Sequence, residues 1–152
     1  MNIHLPEDIA EKLIKALKKA GTKEIGGILM GEYLSPGVYR VKDLTIQSQV
    51  GTTAFFLRMP LIVLRPLQSF FQNTNNQFTR FNYLGEWHSH PSYSTEPSST
   101  DYQTMWEIVE DSTVGANFAV LIIVKLDEKQ QLEGSVTVFI PNYRSFRGEL
   151  IQ

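Results

Sequence analysis

Residues 85–101, GEWHSHPSYSTEPSSTD, contain the pattern on which the interpretation of this chain depends. His88 and His90 lie two positions apart at the end of an apparent strand, where the two-residue repeat directs both imidazoles to the same face. Ser98 follows ten residues after His88, and Asp101 lies in the first turn of the next predicted helix, where a side chain can point back toward the strand end. Two imidazoles and a carboxylate can therefore converge on one ion.

Two His and one Asp would give a divalent ion three protein ligands and leave a fourth position for water, which distinguishes a catalytic zinc site from a closed structural one. Bound zinc lowers the pKa of water to about 7 and polarises a nearby carbonyl. The chemistry indicated is hydrolysis by one Zn²⁺ per chain, held by His88, His90 and Asp101. This reaction also needs a general base and an oxyanion donor, and Ser98 is the candidate donor.

The pair Ser98 and Asp101 also has a purely structural interpretation, because Ser-x-x-Asp before an apolar helix is a capping-box pattern. For this pair alone, capping is the favoured role. The complete pattern H-x-H-x7-S-x2-D is poorly explained by chance. With 3 His, 11 Ser and 5 Asp in 152 residues, its chance frequency is on the order of 10⁻⁴ for independent positions. Spacing alone does not choose the base among Glu24, Glu86 and Glu96.

The composition excludes several other classes of function. The 152 residues are 42% hydrophobic with a formal net charge of −2, which predicts one ordinary domain over residues 1–152. The chain has no cysteine, which excludes disulfide frameworks, thiol nucleophiles and iron–sulfur clusters. The small charge does not attract nucleic acid, and no segment reaches the ~18 apolar residues of a membrane span. We therefore expect a cytoplasmic protein without nucleic-acid or membrane partners, in which His4 is exposed and dispensable.

The hydrophobic periodicity predicts an α/β domain with helices packed against one mixed sheet. Seven apolar residues at 118–124 are typical of a central strand that is covered on both faces. Residues 141–152 carry no clear pattern. The predicted elements are a helix at 6–20, strands at 25–33 and 38–46, a short strand and then a helix from Pro60 disturbed near Pro66, a strand at 81–87, a helix at 99–111, and strands at 118–124 and 136–140.

These residues resemble the JAMM/MPN-plus zinc metalloprotease family. The family's zinc motif matches His88, His90, Ser98 and Asp101 at every spacing, and Pro91 follows the second histidine as it does in the family. A second, independent match lies far upstream, where Glu24 precedes IGGILMG at residues 25–31. The resemblance covers about residues 6–140 and implies a curved sheet flanked by helices, similar to the cytidine deaminases. It also implies that Glu24 is the general base.

The resemblance is greatest to the prokaryotic JAB-type, deubiquitinase-like branch. It implies cleavage of an isopeptide or peptide bond after the C-terminus of a ubiquitin-like protein, with E1- and E2-like proteins of the same operon as candidate partners in an antiviral system. A peptidase that processes a sulfur-carrier protein would use the same residues, whereas a non-catalytic MPN interaction module would bind no metal. A non-heme iron oxygenase also uses two His and one carboxylate but gives Glu24 no role.

Overall fold

Seven strands and three helices succeed one another in residues 1–47 and 60–152, the part of the chain that the computed structural model describes. In chain order they are β1 (Asn2–His4), α1 (Glu7–Ala20), β2 (Gly26–Ser35), β3 (Val38–Leu44), α2 (Pro60–Asn73), β4 (Phe81–Ser89), α3 (Ser99–Glu110), β5 (Ala119–Leu126), β6 (Leu132–Ile140) and β7 (Arg144–Ile151).

The strands form one mixed sheet in the order β1-β3-β2-β4-β5-β6-β7. β4 lies in the middle, antiparallel to β2 and parallel to β5. β1 runs parallel to both β3 and β7, and this pairing closes the sheet into a barrel. The predicted mixed sheet flanked by helices is confirmed, and its closure is an additional feature.

The helices cover both faces of the sheet. Val120 and Ile122 of β5 pack with α1, whereas Leu121 and Ile123 pack with α3. The apolar run of β5 is therefore buried on both faces, as its sequence predicts. Full burial of one such side chain stabilises the fold by about 1.5–3 kcal/mol relative to its exposure. The helix residues that face the sheet are Ile9, Leu13 and Leu17 of α1, Leu67 and Phe70 of α2, and Met105, Ile108 and Val109 of α3.

A bulge in β4 lies just before the predicted metal ligands. Leu29 of β2 pairs with Gly85, but Met30 pairs with Tyr83, so β4 holds one extra residue. Gly85 has a φ of +147°, and a Cβ at this position would lie 2.6 Å from the backbone nitrogen of Val120. Only glycine fits this close approach of β4 to β5.

The structure adds two strands at the chain ends for which the sequence predicts no element. β7 occupies most of residues 141–152, and β1 is a strand of three residues. The side chain of His4 lies in β1 and is partly buried, so the expectation that it is exposed is wrong. β1 is too short to show a period, and its partners β3 and β7 are distant in sequence. Long-range pairing, rather than local pattern, creates β1, whereas β7 forms an antiparallel hairpin with the preceding strand β6.

Two internal elements differ from the sequence-based expectation. β6 begins at Leu132, four residues before the predicted start. α2 begins at Pro60 as predicted and continues through Pro66, so the expected disturbance does not end the helix. The short strand predicted within residues 54–59 lies outside the described residues. Among those that are described, no helix has the length and apolarity needed to cross a membrane.

Replacing Gly85 with alanine should lower the free energy of unfolding by about 2 kcal/mol or more, because the added Cβ would overlap the backbone of Val120. Gly37→Ala is the matched control, since Gly37 has a φ of +75° but nothing within 4 Å of a Cβ. The control should cost only about 1 kcal/mol. Urea unfolding of both variants in chelator-containing buffer measures the difference, and equal losses would contradict the tight bulge.

Candidate metal centre

The end of β4 places two imidazoles beside each other on one face of the sheet. His88 pairs with Gly26 of β2 on one side and with Ile123 of β5 on the other, so its backbone is fixed in the middle of the sheet. His90 follows the strand, and its N–H donates to the Val124 carbonyl at 2.9 Å. The Nε2 atoms of the two histidines lie 3.1 Å apart. The predicted convergence of both rings is therefore present.

The orientation of the His90 ring is set by a backbone contact. Its Nδ1 lies 2.8 Å from the carbonyl oxygen of Ser94. A carbonyl oxygen only accepts, so Nδ1 carries the proton and donates it, which leaves the Nε2 lone pair for a ligand. Metal-bound histidines are commonly fixed by such an outer hydrogen bond. No sequence signal pointed to Ser94, because the contact uses its carbonyl rather than its side chain.

Asp101 brings the third candidate ligand from the first turn of α3. Its Oδ1 lies 3.3 Å from Nε2 of His88, and its Oδ2 lies 3.8 Å from Nε2 of His90. Candidate ligand atoms of the three side chains all lie within 4.8 Å of one another. One ion can therefore contact all three, and the donor set of two imidazoles and one carboxylate suits zinc.

The capping interpretation of Ser98 and Asp101 is also correct. The Ser98 N–H donates to Oδ2 of Asp101 at 2.6 Å, and the Asp101 N–H donates to Oγ of Ser98 at 3.2 Å, which completes a capping box. Because Oδ2 is held by the cap, the carboxylate is oriented with Oδ1 toward His88. Since Ser98 Oγ accepts from the Asp101 amide, its own proton remains available to a substrate.

Burial favours the neutral form of His88, in which an imidazole can coordinate a metal ion. Desolvation lowers the pKa of His88 to about 4, assisted by the adjacent His90 and opposed by the Asp101 carboxylate. An imidazole with this pKa is neutral at neutral pH, so its lone pair does not have to lose a proton before it coordinates an ion.

All three candidate bases line one cleft of about 460 Å³ together with the predicted ligands and Ser98. Glu24 is exposed and lies two residues before the start of β2. Glu86 is 8% exposed and lies two positions before His88 in β4. Glu96 forms an ion pair with Arg147 of β7. The structure therefore brings Glu24 to the cleft from a position far upstream in the sequence.

The loop between Pro91 and Ser98 is anchored at several points that the sequence analysis missed. Besides the Ser94 contact with His90, the hydroxyl of Ser135 in β6 donates to the carbonyl of the buried residue Thr95. The ion pair between Glu96 and Arg147 is a second contact between this loop and the sheet, at β7. These contacts hold one wall of the cleft against β6 and β7.

Comparison with solved structures shows the fold. A protein from Desulfitobacterium hafniense has a TM-score of 0.67 and 18% sequence identity, with 98% of this chain and 91% of that chain covered. A protein from Salinibacter ruber has a TM-score of 0.57 at 18% identity, with 98% and 90% covered. At these identities the likeness concerns the arrangement of helices and strands alone.

A relative at higher identity is the CD-NTase/cGAS isopeptidase of Enterobacter hormaechei subsp. hoffmannii (strain UCI 50). It is 32% identical over 118 residues, which cover 75% of this chain and 62% of the relative. The chain thus spans about three fifths of the length of this relative. The model of the family described as prokaryotic homologs of the JAB domain matches residues 6–137. The chain therefore belongs to the prokaryotic JAB domain family and has its α/β fold, as the histidine pattern predicts.

Proposed function

We propose that this protein is a zinc-dependent isopeptidase or peptidase that cleaves after the C-terminus of a ubiquitin-like protein. Its setting would be a bacterial antiviral conjugation system. The observation that carries the proposal is the convergence of His88, His90 and Asp101 in a cleft that Glu24 and Ser98 also line. A purely structural cluster needs neither an exposed carboxylate nor a free hydroxyl proton beside it, whereas hydrolysis needs both.

The three proposed ligands are held in forms that can bind an ion. His90 presents Nε2 because its Nδ1 donates to the Ser94 carbonyl, and Asp101 is held by the cap of α3. His88 is neutral because of its burial. A zinc ion held by these residues would supply Lewis acidity, which lowers the pKa of water and polarises the scissile carbonyl.

The remaining steps belong to side chains of this chain. In the proposed reaction, the Glu24 carboxylate accepts a proton from the attacking water, whose oxygen bonds to the carbonyl carbon. The Ser98 hydroxyl donates a hydrogen bond to the oxyanion that forms. The bond from carbon to nitrogen then breaks, and Glu24 delivers the proton to the leaving amine. Amine and carboxylic acid products account for all atoms of the substrate and water.

The name of the Enterobacter relative supports an isopeptide substrate that contains a CD-NTase. We propose that this chain acts on conjugates of the same chemical kind, in which a lysine amine of a target is joined to the C-terminus of a ubiquitin-like modifier. E1- and E2-like proteins of the same operon would form those conjugates. The reaction would then take place in the cytoplasm.

Metal dependence can be tested directly. The purified chain should bind one zinc per molecule, and 1,10-phenanthroline should abolish cleavage until zinc is restored. His88→Ala and Asp101→Ala should each weaken zinc binding more than about 100-fold, because loss of an outer-shell partner alone costs about 10–100-fold. Elemental analysis measures the zinc content, and competition titration measures the zinc affinity of each variant.

His4→Ala is the control, and it should bind zinc and cleave like the wild type. Iron in place of zinc, or no metal at all, would contradict the proposal.

Glu24→Gln should lower kcat by about 10²–10⁴-fold while one zinc per chain remains bound, because only the proton acceptor is removed. The substrate for the assay is the ubiquitin-like protein of the same operon, extended beyond its C-terminus by a short peptide. Glu86→Gln and Glu96→Gln are the matched controls, since both carboxylates line the same cleft. A large loss of kcat in Glu86→Gln with normal cleavage by Glu24→Gln would assign the base to Glu86 instead.

The two roles of Ser98 can be separated by substitution. Gly is tolerated at a helix N-cap at a cost of a few tenths of a kcal/mol but has no side-chain donor, whereas Thr retains a hydroxyl. Ser98→Gly should therefore nearly keep the thermal stability of the protein yet lower kcat by about 10²–10³-fold, and Ser98→Thr should retain most of the activity. Parallel kinetics and thermal unfolding give the comparison. If Ser98→Gly cleaves like the wild type, Ser98 serves only as a cap.

A further inference from the structure

The residue between the two histidines makes an unusual contact across the sheet. Ser89 is completely buried, with 0% of its surface exposed. Its backbone N–H donates to the Ile25 carbonyl at 2.8 Å, and its side-chain Oγ accepts from the Ile25 N–H at 3.0 Å. The pair of hydrogen bonds joins the end of β4 to the residue that follows Glu24.

The side chain of Ser89 replaces a backbone acceptor at this point. Gly26 lies opposite His88, so Ile25 lies opposite Ser89. A regular antiparallel pair of this kind exchanges two backbone hydrogen bonds. Here the second bond is made by the hydroxyl, and β2 begins only at Gly26. The backbone before β2 therefore leaves the regular strand path while it stays tied to β4.

This tie lies immediately beside the proposed base. Glu24 stands between Ile25 and Lys23, whose N–H donates to the Ala20 carbonyl at the end of α1. The side chain of Glu24 is exposed, while Ile25 is 3% exposed. Burial of Ile25 means that its N–H depends on Ser89, because an unsatisfied buried amide is costly and solvent does not reach it. Ser89 thus fixes where the chain turns from the sheet toward the cleft.

We propose that Ser89 is a positioning residue of the reaction, which holds Glu24 at the distance from His88 and His90 that proton transfer requires. This inference rests on the proposed function, in which Glu24 is the base. Ser89 acts through Ile25 and touches neither substrate nor ion. A base that is displaced by about 1 Å can lose on the order of 100-fold in rate.

Ser89→Ala should lower kcat about 10- to 100-fold with KM and zinc stoichiometry unchanged. Ser89→Thr, which retains the hydroxyl, should stay within a few-fold of the wild type. Ser89→Val has the same shape as the threonine variant without the hydroxyl, and it should behave like Ser89→Ala. If the alanine variant does not fold, the threonine and valine variants make the same comparison at equal volume.

A double-mutant cycle separates positioning from general stability. Single-turnover assays with enzyme in excess compare Ser89→Ala in the wild-type background and in the Glu24→Gln background. Because Ser89 acts through Glu24, it should have no further effect once the carboxylate is gone. An equal loss of rate in both backgrounds, or a valine variant as active as the threonine variant, would overturn the inference.

Amide hydrogen exchange gives a readout that does not depend on catalysis. The Ile25 N–H should be protected in the zinc-loaded wild type and in Ser89→Thr, and it should exchange faster in Ser89→Ala and Ser89→Val. Unchanged protection of Ile25 in those two variants would overturn the inference. A wild type that cleaves no extended ubiquitin-like protein would instead overturn the proposed function, while exchange at Ile25 would still report whether Ser89 holds this segment.

Discussion

The position of β4 between β2 and β5 is the constraint on which the rest of the molecule depends. β4 is hydrogen-bonded on both sides, and its neighbours approach so closely that side chains are excluded. A Cβ on Gly26 would lie 2.9 Å from Cβ of His88, and one on Gly85 would overlap Val120. Glycine at these points lets three backbones meet where the site forms. Of the three candidate ligands, His88 is therefore carried by a strand that is fixed on both sides, and His90 follows directly after it.

The same strand serves the core and the site on opposite faces. Trp87 is 1% exposed in the core beneath α1, and its Nε1 donates to the Thr45 carbonyl at 2.9 Å. His88, the next residue, lies on the other face and lines the cleft. Alternation along the strand thus links the packing of the indole to the direction of the imidazole. A side chain carried by a strand is held in position more precisely than one carried by a loop, which favours catalysis.

Local patterns predicted the parts of this molecule that depend on local physics. α1, β5 and α3 have strong periodicity or a long apolar run, and they are present where the sequence places them. The spacing of His88, His90 and Asp101 predicted their convergence, because strand and helix geometry fix it within one short segment. In contrast, β1 exists through long-range pairing, and β7 has no clear apolar alternation although it pairs with its neighbour β6. The Ser94 and Ser135 contacts depend on loop conformation. None of these features has a signature in sequence.

The prediction for Glu24 depended partly on local sequence and partly on a resemblance. The glutamate and the glycines at positions 26 and 27 can be read from the sequence, yet only a family resemblance connected Glu24 with His88. The physical reason is the antiparallel pairing of β2 with β4, which places Gly26 opposite His88. A pairing of strands so distant along the chain has no local period, so elementary sequence rules could not choose it over Glu86 or Glu96.

The capping box at the start of α3 has an evolutionary consequence. Ser98 and Asp101 support the helix through hydrogen bonds that need no metal, and loss of such a cap costs about 1 kcal/mol. His88 and His90 have no comparable role in the helix. If a descendant lineage lost the proposed hydrolysis, selection for folding would still maintain the serine and the aspartate, while the histidines would be free to drift. A Ser-x-x-Asp pair that persists without its histidines is thus the trace that a lapsed peptidase of this family would leave.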